Sequence, residues 1–168
     1  MGEQTNRHPE RVCCFTGHRD IPTAHLEEVK RRLYDTVEGL IREGVTVFLA
    51  GGARGFDTLA AQTVLELKER YGHIRLALLL PCKDQTRGWN REDVMAYNDV
   101  LDRADRVKWL SETYYPGCMH TRNRQLVDYA GVCVCYLTAP TGGTAYTVRY
   151  AKKQGRRIYS VAPTDSVY

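Results

Sequence analysis

The sequence predicts an α/β fold: a doubly wound, mainly parallel sheet of about six strands with helices on both faces. Three observations predict it. Short apolar runs of strand length alternate from end to end with stretches whose apolar residues recur at helical spacing. One of those runs, Arg75–Leu80 (RLALLL), is apolar on both faces, as a central parallel strand is. A chain of 168 residues, 43% hydrophobic and 26% charged, is globular in composition and long enough to bury one real core.

The elements follow in order. Arg11–Phe15 (RVCCF) reads as the first strand. Thr23 caps the helix after it, in which Leu26, Val29, Leu33, Val37 and Leu40 keep helical spacing up to Gly44. Thr46–Ala50 is the second strand. Phe56, Ala60, Val64, Leu67 and Tyr71 then form the stripe of a second helix that stops at Gly72. After the third strand, Pro81–Gly88 is a loop, and Val94, Tyr97, Leu101 and Ala104 mark a third helix. Arg106–Leu110 is a fourth strand and Ser111–His120 an irregular connection, after which Thr121 caps a short helix ending at Tyr129. Val132–Leu137, a helix over Ala145–Gln154 and a last strand at Arg157–Val161 complete the pattern. Strands separated by helices pair in parallel through right-handed crossovers.

Without an internal repeat, low-complexity tract or linker, the chain reads as one domain over 11–162, with a flexible N-terminal segment at 1–10 and a tail at 163–168. The longest apolar runs, such as Leu76–Leu80, are too short to span a bilayer, and the first ten residues lack the apolar centre of a signal peptide, so no membrane partner and a cytoplasmic address are expected. The net charge is +4, carried by 18 arginines and 6 lysines spread along the chain, with no basic block of the kind that grips nucleic acid. Cysteines at 13, 14, 82, 118, 133 and 135 include no C-x-x-C pair to complete a tetrahedral zinc site; they read as reduced, mostly buried thiols, and no metal is expected.

In such a sheet ligands bind beyond the carboxyl ends of the strands, where strand order reverses. Two glycine-rich turns fall there, Ala50-Gly51-Gly52-Ala53-Arg54-Gly55 and Pro140-Thr141-Gly142-Gly143-Thr144, each after a strand and each opening a helix. Bare backbone N–H groups at a helix N-terminus hold anions, and together the turns point to a phosphate-bearing ligand. Arg19 and Arg54 sit in rim loops and suit phosphate. Asp57 serves either the helix dipole or a ribose hydroxyl. His18, after Gly17, is either a structural imidazole or an acid–base group. Trp89 stacks on a base or anchors its helix, and Gln85 shares its loop. Arg122-Asn123-Arg124, placed just after a cap at Thr121, sets two guanidinium groups at a positive helix end, a conflict an anion relieves. Neither G-x-x-x-x-G-K-[ST] nor G-x-G-x-x-G occurs, which disfavours P-loop hydrolysis and dinucleotide redox chemistry, so no cofactor is expected. Nor is there a G-x-S-x-G elbow.

These residues resemble the SLOG superfamily, which joins Smf/DprA proteins to the Lonely Guy (LOG) nucleotide hydrolases. Gly51-Gly52-Ala53-Arg54-Gly55-Phe56-Asp57 is similar to the G-G-A-R-G-I-D element of the DprA branch. Met119-His120-Thr121-Arg122-Asn123-Arg124, Asp128 and then Gly142-Gly143-Thr144 follow the LOG order. Thr16-Gly17-His18-Arg19 with Pro81, Gln85 and Trp89 is most similar to the small YpsA-like branch. The resemblance implies a Rossmann-like fold that binds a nucleotide or ADP-ribose-like molecule, with Arg122, Asn123, Gly142, Gly143 and Thr144 touching it, and by analogy a homodimer. LOG enzymes cleave the N-glycosidic bond of nucleoside monophosphates with a glutamate in G-T-x-x-E. Here that position is Thr147, which has no carboxylate to offer an oxocarbenium-like centre. The leading expectation is therefore a ligand-binding sensor or adaptor, ahead of an N-glycosidase using another carboxylate such as Asp57, and of a DprA-like protein on single-stranded nucleic acid.

Overall fold

The computed structural model of the chain describes residues 8–163; the rest of the expected flexible N-terminal segment and most of the expected tail lie outside the described residues. The elements are β1 (Val12–Gly17), α1 (Thr23–Glu43), β2 (Val47–Ala50), α2 (Phe56–Lys68), β3 (Arg75–Leu80), α3 (Arg91–Arg103), β4 (Arg106–Trp109), α4 (Cys118–Tyr129), β5 (Val132–Tyr136), α5 (Gly143–Lys153) and β6 (Arg157–Ser160). The six strands lie in the order β4-β3-β2-β1-β5-β6, every pair parallel. The chain winds outward from β1 to β4, then returns to lay β5 on the other side of β1. Strand order therefore reverses between β1 and β5, whose carboxyl ends meet at the pair Gly17 and Tyr136.

Alternation along each strand divides the core into two layers. Cys13, Phe15, Phe48, Leu76, Leu78 and Val134 face one layer, covered by Val29, Leu33 and Val37 of α1, Phe56, Ala60 and Val64 of α2 and Tyr97 of α3. Val12, Cys14, Leu49, Cys133 and Cys135 face the other, covered by Leu126 and Val127 of α4 and Val148 of α5. Each fully buried leucine or phenylalanine here is worth about 1.5–3 kcal/mol of burial. With three helices on one face and two on the other, the β3–β4 end of the second face keeps an apolar trough of about 360 Å³ over Leu49, Ala77 and Leu79. All six cysteines are buried and free, and burial pushes the Cys135 thiol up to about 12. Among the described residues no helix is long and apolar enough to cross a membrane.

Helix starts differ from the sequence expectation more than strands do. Thr23 is the first residue of α1 rather than its cap, which is Pro22, with no side-chain capping bond. The second helix ends at Lys68, short of Gly72, although Tyr71 still packs on the core. The fourth helix starts at Cys118, three residues before Thr121, because Gly117 (φ 88°) turns the chain into it without a side-chain cap. The Thr121 hydroxyl instead donates to the Gly117 carbonyl at 3.2 Å. Arg122 thus lies in the second turn of α4, where the dipole conflict inferred from sequence is much weaker. At the other end, Pro9–Arg11 forms a 3-10 turn, and Gly131 donates to the Pro9 carbonyl at 2.7 Å, so residues expected to be flexible are tied to the base of β5.

Candidate functional site

The rim above β1 and β5 is built by loops that interlock. A Cβ at Gly17 would lie 2.3 Å from the Phe56 ring, and one at Gly55 (φ 79°) would lie 2.0 Å from the Arg19 carbonyl oxygen. Phe56 donates its N–H to the His18 carbonyl at 3.1 Å. The turn after β1 is therefore pinned to the start of α2, which fixes His18 and Arg19 in place. Arg54 turns away from the rim hollow and pairs with Asp20 at 2.8 Å. The phosphate contact expected of Arg54 thus meets a competing partner 34 residues away in sequence.

The two glycine turns do different things. A Cβ at Gly51 would fall 2.7 Å from Nη1 of Arg122 and 2.9 Å from Oδ2 of Asp57, so this glycine makes room for two of the protein's own charged side chains. Arg122 is buried; its Nη1 donates to the Gly51 carbonyl and its Nε to Oδ1 of Asn123 at 2.8 Å. Asp57 is buried and accepts the Ala53 N–H at 3.3 Å. Gly52 (φ 72°) packs under Leu80. The first turn, read from sequence as half of an anion cradle, is filled from within.

The second turn faces outward. A Cβ at Gly142 (φ 101°) or Gly143 would meet nothing within 4 Å. No side chain caps α5; Tyr146 donates to Gly142 at 3.0 Å, and the N–H groups of Gly143, Thr144 and Ala145 lie beyond reach of any helical carbonyl. Thr147, at the position of the LOG glutamate, is buried and donates its hydroxyl to the Gly143 carbonyl at 2.8 Å, inside its own helix.

Between these turns lies a hollow of about 280 Å³. It gathers Gly17, His18, Arg19, Asp57, Arg122, Asn123, Gly143 and Thr144 from the sequence-selected set, with Thr16, Ala53 and Met119 added. Met119 belongs to the run ending in Arg122-Asn123, and its place one helical turn before Arg122 was the available signal. His18 accepts the Thr138 N–H on Nε2 at 2.8 Å, so its proton sits on Nδ1, and burial lowers its pKa. It is a neutral N–H donor rather than a ready base. Burial raises the Asp57 pKa against the pull of Arg122, and burial lowers that of Arg122 against the pull of Asp57. Arg19 is close enough to act on both. Two guanidinium groups thus face one carboxylate, and the hollow has a surplus of positive charge before the α5 terminus is added.

A second hollow of about 410 Å³ adjoins it, sharing Arg19 and Met119 and lined also by Asp84, Gln85, Arg87, Trp89 and Tyr114. Gln85 and Trp89 belong here, on the loop after β3, not with the phosphate-type residues. Asp84 accepts the Tyr114 N–H at 3.0 Å, and the Trp89 ring stands edge-on to Tyr97 at 5.7 Å. Arg54, Thr141 and Gly142 line neither hollow, while Gly51, Gly52 and Gly55 stand behind the wall.

Comparison with known proteins bears on the family and the fold. The model of a family described as the YspA SLOG family matches residues 13–164. A UPF0398 protein of Halalkalibacterium halodurans is 33% identical over 144 residues, 82% of this chain and 76% of the relative. Among solved structures, DNA processing protein A from Helicobacter pylori, described for its single-stranded DNA binding mode, superposes with a TM-score of 0.66 at 17% identity. The match covers 89% of this chain but only 64% of that one. A solved protein named TM1055 superposes with a TM-score of 0.54 at 18% identity, over 88% of this chain and 71% of its own.

Proposed function

The chain belongs to the YspA SLOG family, and on that footing we propose that it binds a phosphorylated, nucleotide-type small molecule at the β1–β5 rim, as a cytoplasmic sensor or adaptor. The observation that carries this is the charge balance of the first hollow: Arg19 and Arg122 against Asp57, with the uncapped start of α5 as its remaining wall. Arg122 and Asp57 are buried as one positive and one negative charge, so the surplus is the exposed Arg19, a guanidinium at the mouth of the hollow that an anion there would pair. A phosphate seated on the N–H groups of Gly143 and Thr144 reaches the α5 terminus and both guanidinium fields at once. The neutral His18 adds a further N–H donor.

Hydrolysis of the ligand is the weaker reading. Thr147 is folded into its own helix, and Asp57, the one carboxylate among the described residues lining this hollow, already holds the Ala53 N–H and faces Arg122. The likeness to a DNA processing protein raises a nucleic-acid reading, against which stand two hollows walled by loops and a net charge of only +4.

A thermal-shift series with AMP, ADP and ADP-ribose tests the proposal. A ligand at 100 times its Kd stabilises by about 2.7 kcal/mol, or about 5–10 °C for a chain of this size. No shift with any phosphorylated ligand overturns the proposal. Free adenine released from AMP, and lost in Asp57→Asn, would make the protein a hydrolase. Tight single-stranded DNA binding above physiological salt would favour the nucleic-acid reading.

A further inference from the structure

Resting on the phosphate reading and deepening it, we propose that the second hollow is a nucleobase site in which the Gln85 amide reads the edge of the base between Trp89 and Tyr114. Gln85 is 7% exposed, and both its Nε2 and Oε1 are buried with no protein group to bond them. Folded proteins keep very few such atoms, and each calls for an explanation, a bound guest or a water being the partners that suit a side chain lining a hollow.

The amide stands on a fastened loop. A Cβ at Gly52 would come within 3.1 Å of Nε2, so the glycine leaves room for the amide to lie against the β2 turn. The loop carrying Gln85 is fastened at both sides: Asp84 accepts from Tyr114, Lys83 donates to the Glu112 carbonyl at 3.3 Å, and Trp89 rests on Tyr97. A loop so fastened keeps the Gln85 backbone in place, so the buried amide meets a guest by turning its own side chain from the Gly52 side toward the hollow it lines.

The chemistry selects the guest. A primary amide presents one donor beside one acceptor in a single plane, and each nucleobase carries the complementary pair on an edge. An ionised carboxylate or phosphate offers acceptors alone, and a lone sugar hydroxyl carries donor and acceptor on a single atom, so none of them matches the amide's side-by-side pair. Trp89 and the largely exposed ring of Tyr114 supply flat apolar surface for such a base. Because Arg19 and Met119 border both hollows, a ribose lying over them joins a base on Gln85 to a phosphate on α5.

Titration calorimetry of AMP, GMP, CMP, UMP and ribose 5-phosphate, on the full chain and on Gln85→Met, tests this. Methionine keeps the length and removes both polar atoms. The full chain should bind at least one nucleotide about tenfold or more tighter than ribose 5-phosphate. Gln85→Met should cut that preference by about tenfold, leave ribose 5-phosphate affinity unchanged, and raise Tm by about 2–4 °C because two unpaired buried atoms are gone. An unchanged preference, or a lower Tm, overturns the assignment, since the amide would then serve the fold alone. If ribose 5-phosphate binds as well as every nucleotide, the base site fails while the phosphate reading stands; if nothing binds, both fall. Should Gln85→Met not fold, Tyr114→Ala at an exposed position carries the same comparison and should also lower the preference.

Discussion

An alanine at position 51 would place its Cβ 2.7 Å from Nη1 and 2.8 Å from Cζ of Arg122, and 2.9 Å from Oδ2 of Asp57. Contacts that short are not tolerated, so the buried guanidinium or the buried carboxylate must move. Moving Arg122 breaks its bond to the Gly51 carbonyl and disturbs the one to Asn123. A buried carbonyl left unpaired costs about 1–3 kcal/mol. The pull between Arg122 and Asp57, which act on one another without a direct hydrogen bond among the described residues, weakens as well. Gly51→Ala should therefore lose about 2–4 kcal/mol in equilibrium urea unfolding, with Tm lower by about 4–16 °C. Gly143→Ala is the matched control: its Cβ meets nothing within 4 Å, so stability should hold within about 0.5 kcal/mol, while the phosphate loses room at the α5 terminus. A Gly51→Ala protein as stable as the parent would refute the division of labour between the two turns.

Three further outcomes follow from the same geometry. Arg19→Ala, at a side chain that makes no hydrogen bond or ion pair with other described residues, should leave Tm unchanged and weaken binding of a phosphorylated ligand by about 10- to 150-fold in calorimetry, the worth of one charged hydrogen bond. Arg54→Ala, whose guanidinium is taken by Asp20, should leave that affinity within about twofold. The lowered pKa of His18 means that the unfolded chain takes up a proton at this residue before the folded one does. Its contribution to stability is therefore complete above the ordinary imidazole value of 6.5 and declines as pH falls below it. In His18→Gln, which keeps an acceptor for the Thr138 N–H, that part of the acid-side decline should vanish from unfolding curves measured between pH 7 and 5.

The strands and their order of appearance were legible because each apolar run is short and bounded by polar or glycine-containing segments, whereas the division of Cys13 and Phe15 from Val12 and Cys14 between the two layers came from the structure. The start of α4 was not legible. Gly117 begins that helix through its backbone conformation, which leaves no polar side chain to read, and Thr121 offered a false cap. The site divides in the same way. The rim position of His18, Arg19 and Gly142–Thr144 follows from strand ends and turns, which are local. What fills the Gly51 turn is Arg122, 71 residues further on, and what occupies Arg54 is Asp20, on a different loop. No spacing in the chain encodes those encounters. The unpaired state of Gln85 is equally invisible, being a statement about every group that fails to reach it.

Gly17 against Phe56 and Gly55 against Arg19 leave the walls of the first hollow already in mutual contact. If the proposed guest binds there, these described loops need neither to swing nor to order around it. Capture of the proposed guest would then run at the rate of encounter, hastened by the long-range pull of the two arginines and slowed as salt damps it, while differences among guests would appear in how long each one stays.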